Sequence, residues 1–308
     1  MNKRTVGLFF ILLSFLAGLV LAYWTVEEVV SVNVDAEDPL YKEIEERKSK
    51  YEWKVEDARI DSVWKKTPGI MGRKVNVEAS YKKMKKKGTF DSDLFVYKRI
   101  TPKVSLDDLP PSPIYRGHPD KEAVTLLINV SWGEEYLPDM IETLSEHQVK
   151  ANFFIDGAFA KEFTNLVQMI EEEGHTIGSH GYMHKDMARM SKEQATANLE
   201  QADELLFGLT KENITYFAPP SGSYSQTAVE AADEMGMETI LWTVDTIDWK
   251  KPTKDVLLNR VLGKVHNGAT ILMHPTEVTR DSLGELIEGI QDKGYKITAL
   301  PSFLSEER

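Results

Sequence analysis

The chain has 308 residues, a formal net charge of −12 and 42% hydrophobic residues, enough for one large globular domain and something smaller. The acidic balance excludes nucleic acid as the main partner, because phosphate contacts need clustered Lys and Arg. Cysteine is absent, which excludes disulfides, thiolate metal ligands and cysteine nucleophiles.

At the N-terminus, Lys3 and Arg4 precede an uncharged run from Thr5 to Trp24, followed by Glu27 and Glu28. About 20 apolar residues suffice to cross a bilayer as a helix, and positive residues ahead of them place the remainder outside the cytoplasm. A cleaved signal peptide is the alternative, with Val20-Leu21-Ala22 as the cleavage region. The run exceeds a usual signal core, so the expectation is an uncleaved membrane anchor over residues 1–25, carrying an exported protein.

Residues 26–115 read as a small α+β module. Ala58–Trp64 and Val75–Val77 alternate as strands do. Ser80 is expected to cap a short helix through Lys87, with Gly88 at its end. Lys82, Lys83, Lys85, Lys86 and Lys87 form either a solvated helix face or a contact for an anionic polymer. The stiff Leu109-Pro110-Pro111-Ser112-Pro113 run is the expected boundary.

Residues 116–308 alternate apolar runs with amphipathic stretches. Strands are predicted at Ala123–Val130, Ala151–Ile155, Thr176–Ser179, Tyr216–Ala218, Thr239–Val244, Thr270–Met273 and Lys296–Thr298. Helices are predicted near Tyr136–His147, Phe163–Glu173, Ser191–Leu209, Ser225–Glu234, Thr253–Val265 and Asp281–Lys293. This alternation predicts about seven parallel strands in a distorted (β/α) barrel, with its chemistry at the C-terminal strand ends.

Those ends carry Ser131-Trp132-Gly133-Glu134-Glu135, then His180 and His184. Ala218-Pro219-Pro220-Ser221-Gly222, Asp245 through Trp249, and Leu272-Met273-His274 follow. Two imidazoles four positions apart can grip one divalent cation if both point the same way; a solvated turn is the alternative. Convergence of polar groups on one barrel face favours a metal or active site.

In these motifs the chain resembles the NodB-homology polysaccharide deacetylases, carbohydrate esterase family 4. Gly174 to His180 with His184, Asp245-Thr246-Ile247-Asp248-Trp249, and Leu272-Met273-His274 resemble its histidine, Asp-x-x-Asp-Trp and Leu-x-His motifs. The arrangement of anchor, linker and domain is similar to that of members from endospore-forming bacteria. The resemblance implies metal-assisted hydrolysis of N-acetyl groups on a cell-wall glycan. His180 and His184 would hold zinc or cobalt, His274 would be the acid, and Asp245 would orient it. Trp249 and Leu272 would line the acetyl pocket, with Ser131, Trp132, Pro220 and Ser221 also against substrate.

The chain departs from the family at its first and third motifs. Ser131 stands where the family has the catalytic-base aspartate, and Trp132 where it has the metal-binding aspartate. Ala218 replaces the arginine that pairs with the base. Serine is too weak a base to activate water at neutral pH. Losing both members of a buried Asp–Arg pair avoids the roughly 3–5 kcal/mol cost of stranding one charge. Glu134 or Glu135 is either a substitute ligand or base, or a solvated loop residue that helps start the next helix. The alternative to an enzyme is therefore a non-catalytic glycan-binding or wall-assembly protein.

Overall fold

The computed structural model describes residues 34–308. The expected anchor over residues 1–25 lies outside the described residues. Among those described, no helix is long and apolar enough to cross a membrane.

The chain forms two compact units. One gathers residues 34–52 and 74–98. Helix α1 (Pro39–Arg47) and helix α2 (Val77–Lys87) supply its core: Ile44, Tyr81 and Met84, with Val75 and Phe95. The cap of α2 is Asn76, whose side chain accepts from Ala79 N at 3.1 Å, and not Ser80. Ser80 is buried, and its hydroxyl donates to Asn76 O at 2.7 Å, a satisfied mid-helix serine. Gly88 ends the helix at φ 81°, as expected. The five lysines all face solvent; Lys85 pairs with Asp38 and Lys87 with Asp91.

The second unit holds residues 53–73 and 99–308. It begins with an antiparallel pair, β1 (Arg59–Asp61) and β2 (Lys65–Thr67). Strands β3 (Gly72–Val75) and β4 (Tyr97–Ile100) carry the chain out of this unit and back. The proline run lies inside the unit: Pro113 O accepts from Lys66 N at 3.1 Å and Pro111 O from Gln226 at 3.0 Å.

A parallel sheet forms the body of the unit. Its strands are β5 (Ala123–Val130), β6 (Asn152–Ile155), β7 (Thr176–Ser179), β8 (Tyr216–Phe217), β9 (Glu238–Thr239), β10 (Val244–Asp245) and β11 (Thr270–Met273). They run in the order β10-β11-β5-β6-β7-β8-β9, with β12 (Lys296–Ile297) also on β5. Strand β5 shows how the layers separate. Leu126, Ile128 and Val130 join the helix-side core, whereas Ala123 and Leu127 face an inner cluster with Phe154, Ala218 and Phe303. That alternation puts Asn129 and Ser131 on the inner face, at the C-terminal mouth.

The helices between strands are α3 (Leu137–Glu146), α4 (Gly157–Glu162), α5 (Thr164–Glu172), α6 (Lys192–Thr210), α7 (Gln226–Glu234), α8 (Lys254–Leu262), α9 (Glu277–Asp292) and, at the end, α10 (Leu300–Leu304). Helix α6 starts with a full capping box, Ser191 with Gln194.

The predicted strand Thr239–Val244 is instead two short strands at opposite ends of the sheet, because residues 240–243 cross the seam. The segment Ile114–Gly117 bridges it. Ile114 N donates to Thr239 O at 2.8 Å, and Leu241 N returns to Ile114 O at 2.8 Å. On the other side Thr270 Oγ1 donates to Tyr115 O at 2.6 Å, and Gly117 N to Gly268 O at 3.0 Å. Extended backbone from outside the sheet thus satisfies peptide groups that β9 and β10 do not satisfy for each other.

Candidate active site

At the C-terminal mouth a cleft of about 440 Å³ is lined by Asn129, Ser131, Trp132, His180, His184, Ser221, Trp242, Asp245, Trp249, Leu272 and His274. Of the predicted site residues only Pro220 is missing. It is buried in the turn after β8, while Ser221 reaches the cleft from a left-handed backbone, φ 56°.

The histidine loop leaves β7 through a tight reversal. Gly181, Met183 and His184 all have positive φ (68°, 60° and 48°). Non-glycine residues hold that conformation only where the surroundings enforce it. Here Asn198 on α6 clamps Tyr182 at both ends, accepting from its N–H and donating to its C=O, each at 2.9 Å. Asp156 holds the next turn, accepting from His184 N at 2.7 Å while it caps α4. Both are positioning residues that the motif reading missed. Asp156 was findable as an acidic cap directly after a strand.

The result is two imidazoles with ring centroids 5.2 Å apart. His180 is buried, and its Nδ1–H donates to Ala218 O at 2.7 Å. Burial, then the neighbouring His184, pushes its pKa down to about 3. His180 is therefore neutral at pH 7 and turns the Nε2 lone pair away from that bond, as a metal-binding imidazole does.

The rest of a metal centre is absent from the donor set. Among the described residues no group of three His, Asp or Glu is placed to share an ion. Trp132, which the motif resemblance aligns with the family's metal-binding aspartate, has its ring nearly parallel to His274 (10°, centroids 5.9 Å apart). Gly133 makes this possible. Its φ is 85°, and a Cβ there would sit 2.0 Å from Pro275 O, so only glycine lets the two loops approach. Two imidazoles sharing a cleft with an indole do not make up the three-ligand site of a hydrolytic divalent metal.

The proton-transfer half is better preserved, with one correction. The carboxylate that orients His274 is Asp248, not Asp245. Asp248 is fully buried and accepts from His274 Nδ1–H at 2.8 Å, from His274 N at 2.6 Å and from Thr279 Oγ1 at 2.7 Å. Asp245 instead accepts from Ile247 N at 2.8 Å, closing a local turn. Ile247, at φ 54°, then swings Asp248 inward.

Neither Glu134 nor Glu135 lines the cleft that holds the imidazoles. Glu134 and Glu135 line an adjoining groove of about 730 Å³ with Tyr136, Lys251 and Asp281, on the far side of Trp132 and Trp249. The two indoles, 45% and 53% exposed, border both the cleft and the groove. Where the base aspartate and its arginine would stand are small neutral groups, Ser131 and buried Ala218. The cleft thus keeps the paired imidazoles and the Asp248–His274 pair, with Asp245 as a further carboxylate in its lining.

Comparison with known proteins agrees with this geometry. Residues 116–240 match the polysaccharide deacetylase family. Over 273 residues the chain is 46% identical to the protein YlxY of Bacillus subtilis, covering 89% of this chain and 86% of that one. It is 32% identical to a peptidoglycan-N-acetylglucosamine deacetylase of Bacillus cereus, covering 63% of this chain and 73% of that one. Among solved structures, a wild-type pseudoenzyme of carbohydrate esterase family 4 from Bacillus anthracis is similar at 44% identity and TM-score 0.81, over 88% of this chain and 97% of that one. A mutant described as having restored enzymatic activity is similar to the same degree, with 100% of its chain covered.

Proposed function

Because the chain belongs to the polysaccharide deacetylase family, we propose that its barrel binds an N-acetylated cell-wall glycan of the peptidoglycan type without deacetylating it. One observation carries this reading: Trp132 stacks on His274 where the family places a metal-binding carboxylate. An indole supplies no metal ligand but is a good sugar platform, and Trp249 offers a second across the mouth. The zinc or cobalt implied by resemblance would find only His180 and His184 here, so no catalytic step is assigned to it. Relatives that act on peptidoglycan support the ligand class. Lys3 and Arg4 ahead of the uncharged Thr5–Trp24 run support an exported, membrane-anchored placement that brings the barrel to the wall.

The test is a paired assay of the full chain with an N-acetylglucosamine tetramer: calorimetric binding and acetate release in one sample. Saturable binding without acetate is expected. Acetate release at a steady rate would overturn the reading.

A further inference from the structure

The β1–β2 hairpin is held at its base and bare at its tip. At the base, buried Lys66 pairs with Glu238 at 2.5 Å, Lys66 N donates to Pro113 O at 3.1 Å and Ala58 N to Val104 O at 2.9 Å. At the tip, Ile60, Val63 and Trp64 are 45%, 64% and 37% exposed. Exposed apolar side chains are ordinary singly, but these three fall within residues 60–64, where a hairpin loop is normally polar. Trp53, nearby in sequence, is by contrast covered by the Arg73 guanidinium, 3.4 Å from its ring centroid.

The tip is also basic. Arg59 and Lys65 flank it, and the Arg116 guanidinium lies 5.7 Å from the Trp64 ring centroid. Lys65 and Arg116 donate to backbone carbonyls (Ser62 O, Gly117 O and Asn267 O) rather than to carboxylates. Arg59 has one long, exposed contact with Glu56, at 3.7 Å. The single carboxylate between Arg59 and Lys65 is Asp61, whose Oδ1 accepts from Val63 N and Trp64 N at 2.8 and 2.9 Å and so closes the turn. A basic, apolar tip thus projects from a chain of net charge −12.

We infer that this tip docks on the surface of an anionic lipid bilayer, with Val63 and Trp64 at headgroup level and Arg59, Lys65 and Arg116 on lipid phosphates. The inference rests on the membrane-anchored placement proposed above. Only residues 25–33 separate the uncharged run from Val34, where the described residues begin, a reach of about 30 Å at full extension. With that run inserted, a bilayer stays beside the protein. Indole rings favour the boundary between hydrocarbon and water, and neighbouring Lys and Arg are drawn to anionic headgroups. The same surface repels the acidic remainder of the chain, so the field turns the hairpin toward it. Because its base is already fixed, docking orders little new backbone. Two attachments, run and tip, then restrict how the barrel turns above the membrane.

The chain has no cysteine, so one introduced thiol reports one place. Full-length V63C and, as a control on α8, V256C (Val256 is 46% exposed) each carry a nitroxide label. Each is studied in detergent micelles, in phosphatidylcholine vesicles and in vesicles containing phosphatidylglycerol. Vesicle flotation reports the anchor; collision of the label with a neutral nickel chelate in water and with oxygen in lipid reports the tip. In the anionic vesicles V63C is expected to lose at least threefold in nickel accessibility and to gain oxygen accessibility, with V256C unchanged. R59Q/K65Q in the V63C background should lose most of that protection. If the chain floats but V63C stays as accessible as in micelles, the docking is wrong and the anchor stands. Equal protection in neutral and anionic vesicles also overturns the docking, since the basic residues then select nothing. If the chain does not float, anchor and docking fall together. Protection by soluble poly(glycerol phosphate) but not by vesicles would assign the tip to an anionic polymer and overturn the bilayer.

Discussion

Asp248 and His274 are joined twice: the same carboxylate accepts both the backbone N–H and the Nδ1–H of the histidine. One buried group therefore fixes the imidazole and the loop that carries it. Hydrogen bonds to a charged acceptor contribute about 1.5–3 kcal/mol each. With three of them lost, D248A is expected to cost about 3 kcal/mol or more. D245A, which gives up one half-buried turn contact, should cost about 1 kcal/mol. Urea unfolding of the two variants decides it; equal losses would mean the carboxylates share the role.

Gly133 permits the close passage of the Trp132 loop past Pro275. G133A must move one of the two loops, and it forces a positive φ on a residue with a side chain. A cost of about 2 kcal/mol or more is expected. Trp132 should also leave His274, which a change in tryptophan fluorescence would report. A variant with wild-type stability and fluorescence would show that the contact is softer than it looks.

His175 gives a pH prediction away from the cleft. Burial pushes its pKa down to about 4, and its Nδ1 accepts from Ala151 N at 3.2 Å. The unfolded chain binds this proton near pH 6.5, the folded chain only near 4, so the unfolded state holds more protons between them. Stability is then full above pH 6.5 and declines as pH falls toward 4. By pH 4.5 this one group should account for about 2–3 kcal/mol. H175Q should flatten that part of the profile in denaturant titrations at pH 7 and 4.5; an unchanged slope would remove His175 as its source.

The strand–helix rhythm after residue 116 was legible because parallel strands buried on both faces read as apolar runs between amphipathic helices. Gly174, Gly236 and Gly294 all take the positive φ that their helix-ending positions implied. Local competition hid the rest. Asn76 and Ser80 are both good caps, and only the fold decides which one starts the helix. The run Thr239–Val244 looks like one strand, because nothing in its composition marks the seam it crosses. Asp245 and Asp248 are chemically the same, three residues apart. What separates them is a backbone reversal at Ile247, a β-branched residue that no propensity would place at positive φ.

The missing third metal donor has its own consequence. W132D restores a carboxylate at the position the family uses, so zinc should bind W132D more tightly than the natural chain in a chelator competition. Equal affinities would mean that the indole does not occupy the ligand position.

The most direct measurement is acetate released from purified peptidoglycan by the full chain with added zinc or cobalt, beside the double variant S131D/W132D and H180A. The natural chain is predicted to release none while still binding the glycan, and acetate should appear only when both aspartates are present. Acetate from the natural chain that disappears in H180A would contradict the account and make this cleft a working deacetylase with an unassigned base.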